Sequence, residues 1–171
     1  KPYEDIVEDL LHPERFPELE EALMQRYLGF DGTSAINWVY RMLISQRQLQ
    51  EKMTLFWHHV FATGLGKSGH GPSIDQHIKM LRRVCLADLR TILTELSKDP
   101  AMLFWLDNNE NIKGQPNENW GRELLELFSM GVGNYSEDDI KQVALAFTGW
   151  SYVQPIPRDP CGNYPTRFMY R

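Results

Sequence analysis

The sequence predicts an all-α fold, an irregular multi-helix array that ends in an extended, Pro-rich C-terminal arm. Three observations carry this. Apolar residues recur at three- and four-residue spacing through most of the 171 positions, while Gly, Pro, Ser and Asn supply the breaks. No strand-like alternation rises above noise before the tail. From Ser151 onward, prolines, a lone Cys161 and scattered aromatics describe an arm without helical period. The chain is therefore expected to divide into a helical domain, 1–150, and a tail, 151–171, that reads as part of an unfinished domain.

The elements follow in order. After His12-Pro13, "FPELEEALMQRYLG" (16–29) predicts a helix with Pro17 in its first turn, an acidic start and Gly29 past its end. Residues 34–62 carry Ile36, Val39, Tyr40 and Leu43, then Leu49, Met53, Phe56, Trp57, Val60 and Phe61 at helical spacing. Ser45 can cap a second segment there, giving two helices or one bent helix. "GLGKSGHGPS" (64–73) predicts a loop, because four glycines and a proline in ten residues make regular structure costly. Ser73 then caps a helix, with Gln76 in the capping-box position. A further segment from about residue 87 to 96 ends before Asp99-Pro100, where "PAMLFWLD" starts a short apolar helix. "NENWGRELLELFSMG" is a longer helix stopped by Gly131. In "YSEDDIKQVALAFTG", Ser136 caps, three acids in the first turn face the helix dipole favourably, and Gly149 stops the helix.

Composition narrows the function. The apolar fraction is that of an ordinary soluble globule, and the length suffices for one core-forming domain. No apolar run approaches the roughly 18 residues that a membrane-spanning helix requires. The net charge of -5 lies in short mixed runs without a basic stripe, so nucleic acid is not an expected partner. Cys85 and Cys161 make no C-x-x-C pair; they can form one bridge, or Cys85 packs as a small apolar residue on a helix. The chain opens on Lys1 with no apolar signal core, which fits a processed or excised fragment.

The densest chemistry lies in "LDNNENIKGQPNENWGRELLEL" (106–127). Counting Asp107 as the first position puts Asn109, Asn111 and Glu118 at the EF-hand spacing of calcium ligands. Ile112 stands where the sharp turn needs glycine, and Gly114 where an apolar residue is expected. An asparagine-rich turn that satisfies its own backbone is the favoured alternative. On the following helix, Glu118, Asn119, Arg122, Glu123 and Glu126 fall within about 140° of arc, opposite Trp120, Leu124, Leu125, Leu127 and Phe128. Left wet, Glu118, Arg122 and Glu126 form an i,i+4 ladder. Covered, Glu123 and Glu126 are carboxylates one turn apart, suited to metal ligation or to an acid-base pair, with Arg122 holding one ionised.

His58 is the natural third element, since a neutral imidazole is a common metal ligand and proton shuttle, and Trp57 and Phe61 can exclude water. Its alternative is a hydrogen-bonded core histidine. His59 points about 100° away on a regular helix and cannot serve the same metal. His70 and His77 flank the Gly-rich loop and can meet, but nothing nearby completes a metal shell. That loop lacks the Lys-Ser/Thr ending of a phosphate cradle, and no nucleophile elbow or Cys-His protease signature is present.

Residues 99–150, "DPAMLFWLDNNENIKGQPNENWGRELLELFSMGVGNYSEDDIKQVALAFTGW", resemble the bacterial domain-of-unknown-function eighteen-hundred family. Its hallmark is P-N-E-N-x-x-R-E-L-x-E-L followed by a T-G-W end. Upstream, "EKMTLFWHHVFATG" (51–64) is similar to that family's Trp-His segment. Many members read W-H-N-H-F there, whereas this chain keeps the first histidine, His58, and moves the second. The resemblance covers most of the chain and implies a domain that continues well beyond a point like Arg171. It brings no settled activity; it implies an extracytoplasmic setting, periplasmic or secreted, and a sulfatase-like exported protein as partner.

Two functions follow as expectations. The first is an exported divalent-metal-dependent hydrolase in which His58, Glu123 and Glu126 bind metal or move protons, and Arg122 positions an anionic group. Calcium at the Asp107 to Glu118 loop is a further expected cation, with those two carboxylates as ligands. The second is a non-catalytic helical scaffold for an exported partner, with the carboxylates in intrahelical pairs and the tail as a contact arm. The aromatic helices beginning near Ser45 and Asn117 are expected to pack together and to bring His58 close to the Glu118 to Glu126 face.

Overall fold

A computed structural model describes residues 1–20, 35–153 and 166–170. The chain is mostly helical with a small two-stranded sheet. In order come α1 (Tyr3–Leu11), a 3-10 turn (Pro13–Arg15), α2 (Ala35–Ile44), α3 (Gln48–Val60), the single turn α4 (Leu65–Ser68), α5 (Gly71–Val84), α6 (Leu89–Ser97) and α7 (Pro100–Trp105). A second 3-10 turn (Asn108–Glu110), α8 (Asn119–Glu126), α9 (Glu137–Ala146), β1 (Trp150–Val153) and β2 (Arg167–Tyr170) complete it. The helix predicted over 16–29 lies mostly outside the described residues; positions 16–20 are not helical.

Local chemistry explains most helix ends. Asp99 caps α7 by accepting from the Met102 amide, and Ser136 and Asp139 form a reciprocal capping box at α9. The Ser45 hydroxyl accepts the Arg47 amide at 3.0 Å and breaks the 34–62 pattern into α2 and α3. Two expectations change. The cap of α5 is His70, whose Nδ1 accepts the Ser73 amide at 3.2 Å, because Pro72 lets the helix begin inside the predicted loop. That loop also holds α4, which Gly69 closes at φ 60°.

The tail is corrected as well. Instead of only an extended arm, β1 and β2 pair antiparallel with Trp150 opposite Tyr170 and Val153 opposite Arg167. Aromatic side chains drive the pairing: Trp150 meets Phe168 edge to face at 5.1 Å and Phe147 at 4.8 Å. The prolines of 154–165 lie outside the described residues.

The core gathers Phe61, Leu81, Val84, Ile92, Leu96, Met102 and Trp120. Trp57 stacks on Phe61 at 5.2 Å, and Phe61 meets Phe128 edge to face at 5.1 Å, so the two aromatic segments do pack together. Leu127, expected on the apolar side, is largely exposed. The Phe128 amide reaches back to the Glu123 carbonyl, which rotates the chain past Glu126 off the regular helical register.

Helices α8 and α9 approach at Gly121, where an added Cβ would stand 3.2 Å from both the Ile140 carbonyl oxygen and Val143 Cγ1. Backbone cannot yield as a side chain can, so Gly121→Ala is expected to cost about 1–3 kcal/mol in urea denaturation. Gly66→Ala, with nothing within 4 Å of the added carbon, is the matched control and leaves stability unchanged or slightly raised.

Candidate functional site

The asparagine-rich loop turns its polar groups inward. Asn108 and Asn111 are each 1% exposed. Asn108 Nδ2 donates to the Trp150 carbonyl at 3.0 Å, and Asn111 Nδ2 donates to the Ala144 carbonyl at 2.8 Å. Asn111 Oδ1 accepts from the Asn117 amide at 3.2 Å and from Thr148 Oγ1 at 3.3 Å. Asp107 sits at φ 57° and binds Lys67 Nζ at 2.9 Å, while Glu118 lies 3.5 Å from Arg122. The oxygens aligned in sequence at EF-hand spacing thus face protein donors in several directions. Among the described residues, Asn109 Oδ1 is the one buried side-chain oxygen of this stretch without a partner.

The acidic face of α8 is half-buried. Arg122 forks onto both oxygens of the exposed Glu137 at 2.9 Å, so its guanidinium is committed to the neighbouring helix rather than free for an anionic ligand. The same bond lowers the Glu137 pKa. Glu126 accepts from the Tyr135 hydroxyl at 2.6 Å. Partial burial, then the Glu126 charge, raise the Glu123 pKa against the opposing pull of Arg122.

His58 packs against two other rings. Its ring is 5.4 Å from that of Trp38 on α2 and 5.4 Å from that of His77 on α5. His77 is fully buried, and its Nδ1 lies 2.8 Å from Asp99 Oδ2, the same oxygen that accepts the Met102 amide at 2.9 Å. Asp99 is therefore the acceptor and His77 Nδ1 the donor in this pair. His77 Nε2 is buried without a partner among the described residues, and so is His58 Nδ1. Burial first, then the neighbouring His77, lower the His58 pKa to about 4, leaving a neutral imidazole at physiological pH.

The structure thus brings together His58, His77 and Asp99. Among the described residues no group of three or more His, Cys, Asp or Glu side chains could hold a metal ion. Sequence reasoning paired His77 with His70 and read Asp99 only as a helix boundary; 22 residues separate Asp99 from His77, and no local signal crosses that gap. His59 is exposed and His70 is used as a cap. Cys85 is a buried free thiol at the end of α5, where desolvation raises its pKa; Cys161 lies outside the described residues.

A family model described as "Protein of unknown function (DUF1800)" matches residues 18–170. The chain belongs to the DUF1800 family. No curated protein and no solved structure matches it. Within this DUF1800 chain, several residues of the stretch 116–127 do architectural work. Asn117 Oδ1 caps the Asn119 amide, Trp120 is 1% exposed, and Gly121 is the α8–α9 contact. The Trp-His segment instead delivers Trp57 to the core, its Nε1 donating to the Cys85 carbonyl at 2.9 Å, and His58 to the imidazole pair. None of the described helices is long and apolar enough to cross a membrane.

The folded pKa of His58 lies below its unfolded value of 6.5, so the unfolded chain binds the proton more tightly. Stability from the neutral ring is complete above pH 6.5 and is lost as pH falls toward 4. The melting temperature of the metal-free protein is expected to drop between pH 6.5 and 5, before carboxylates protonate, and His58→Phe is expected to flatten that part of the profile.

Proposed function

We propose that this DUF1800 chain is a divalent-metal-dependent hydrolase in which His58 and His77 are the protein's imidazole donors. The supporting observation is the pair of buried ring nitrogens without partners among the described residues, on rings 5.4 Å apart. With metal–nitrogen bonds of about 2.1 Å and a tetrahedral angle, two imidazoles on one metal have ring centres roughly 5 Å apart. The carboxylate behind His77 holds the ring in place through Nδ1 and would leave Nε2 to face a metal, as outer carboxylates do for ligating histidines. A divalent metal held by His58 and His77 would supply a bound water of lowered pKa as nucleophile. Glu123 and Glu126 are not required for this centre. An extracytoplasmic setting is part of the proposal on the family resemblance alone.

A second reading is a non-catalytic helical module for a sulfatase-like exported partner. It is favoured by the apolar stripe of Ile36, Val39 and Leu43 on α2, each at least half exposed.

Calorimetric titration with zinc separates the two. The metal-centre reading expects one site per chain, abolished in His58→Ala and in His77→Ala, weakened about 10–100-fold in Asp99→Asn, and unchanged in Glu123→Ala. Absent uptake, or uptake indifferent to both histidines, removes the hydrolase reading and leaves the scaffold.

A further inference from the structure

A second buried polar cluster lies on the same helices. Glu51 on α3 is 2% exposed and accepts from Arg82 Nε on α5 through both oxygens, at 3.0 and 3.2 Å. Arg41 Nε on α2 reaches the same carboxylate at 3.4 Å. Two guanidiniums face one carboxylate, so one positive charge is uncompensated within the cluster. Both arginine side chains are nine-tenths buried, and both line a cleft of about 600 Å³ together with Arg47, Gln50, Gln76 and Met80.

Among the described residues, the neighbouring charges are paired with other groups. Arg47 lies 3.8 Å from Glu18 and donates through Nε to the Phe16 carbonyl, Lys79 lies 2.8 Å from Asp75, and Arg83 lies 2.6 Å from Glu95. Arg82 contacts Glu51 through Nε alone, and among the described residues its two terminal amines have no hydrogen-bond partner. Arg41 adds only a 3.5 Å contact from Nη1 to the Leu19 carbonyl. The Arg82 terminal amines line this open cleft, where water reaches them and an oxyanion can take its place. Guanidinium donors suit oxyanions because they offer paired N–H groups in a fixed plane.

We infer that the cleft between α2, α3 and α5 is a binding site for a tetrahedral oxyanion, a phosphate or sulfate group, held by the terminal amines of Arg82 and Arg41 while Glu51 orients both. Glu51 and His58 are two helical turns apart on α3, roughly 10 Å along the axis. The inference does not depend on a metal at His58.

The test titrates metal-free protein with inorganic phosphate and, separately, sulfate, followed by calorimetry and by the ¹⁵N shifts of arginine Nε, with chloride at equal ionic strength as control. Saturable binding by at least one oxyanion is expected, with the tighter of the two naming the group. Arg82→Gln is expected to weaken it at least about tenfold, as loss of a charged hydrogen-bond donor does. Glu51→Gln leaves both guanidiniums in place and removes the opposing charge, so it is expected to tighten binding several-fold. Arg41→Gln, whose contact with Glu51 is longer, carries the test if Arg82→Gln does not fold. No saturation below about 10 mM, an equal response to chloride, or affinities unchanged in Arg41→Gln and Glu51→Gln would overturn the inference.

Discussion

The contact of α3 with α5 buries polar groups that must be answered across the interface, and the arrangement of both sites depends on that requirement. Glu51 takes Arg82, Gln50 Nε2 donates to the Arg82 carbonyl, and Trp57 Nε1 donates to the Cys85 carbonyl. The last two contacts answer carbonyls near the end of α5, where intrahelical donors run out. Only one axial position of α3 along α5 meets all three, and at that position His58 stands against His77. A slide by one turn would strand a buried carboxylate and two carbonyl oxygens, at a cost well above that of repacking apolar neighbours.

The asparagine loop answers the same requirement at the other end of the molecule. It holds the carbonyls of Ala144 and Trp150, which leave α9 and enter β1, by side-chain amides. Asn111 donates and accepts at once, which aspartate cannot do when ionised. This accounts for asparagine rather than a carboxylate at both buried positions. The Gly149 amide closes on the Asn111 carbonyl at 2.9 Å, so the stretch 108–111 and the chain after α9 form one unit.

Two polar layers result. One contains Trp38, His58, His77 and Asp99; the other, two turns earlier on α3, contains Arg41, Glu51 and Arg82. Helices α2, α3 and α5 contribute to both, so a distortion in one layer is transmitted to the other through rigid helical segments. The outer acidic face of α8, by contrast, is tied to α9 and its preceding loop through Glu137 and Tyr135. Glu126, through Tyr135, helps hold that hairpin-like pair together.

Local patterns in the sequence determined the helical class, the break at Ser45, the capping box at Ser136 and Asp139, and the burial of Trp120 opposite Arg122. These are interactions within one or two helical turns, whose spacing is set by 3.6 residues per turn. His58 was legible as a chemically capable residue for the same reason, through its apolar flanks. Which groups it would meet was not. His77 with Asp99 spans 22 residues, Glu51 with Arg82 spans 31, and Ser73 with Thr166 spans 93. The pairing of β1 with β2 likewise depends on where the chain returns. Such contacts are decided only by the path of the folded chain, because helical periodicity tells which face is turned inward and not which other face it will find there.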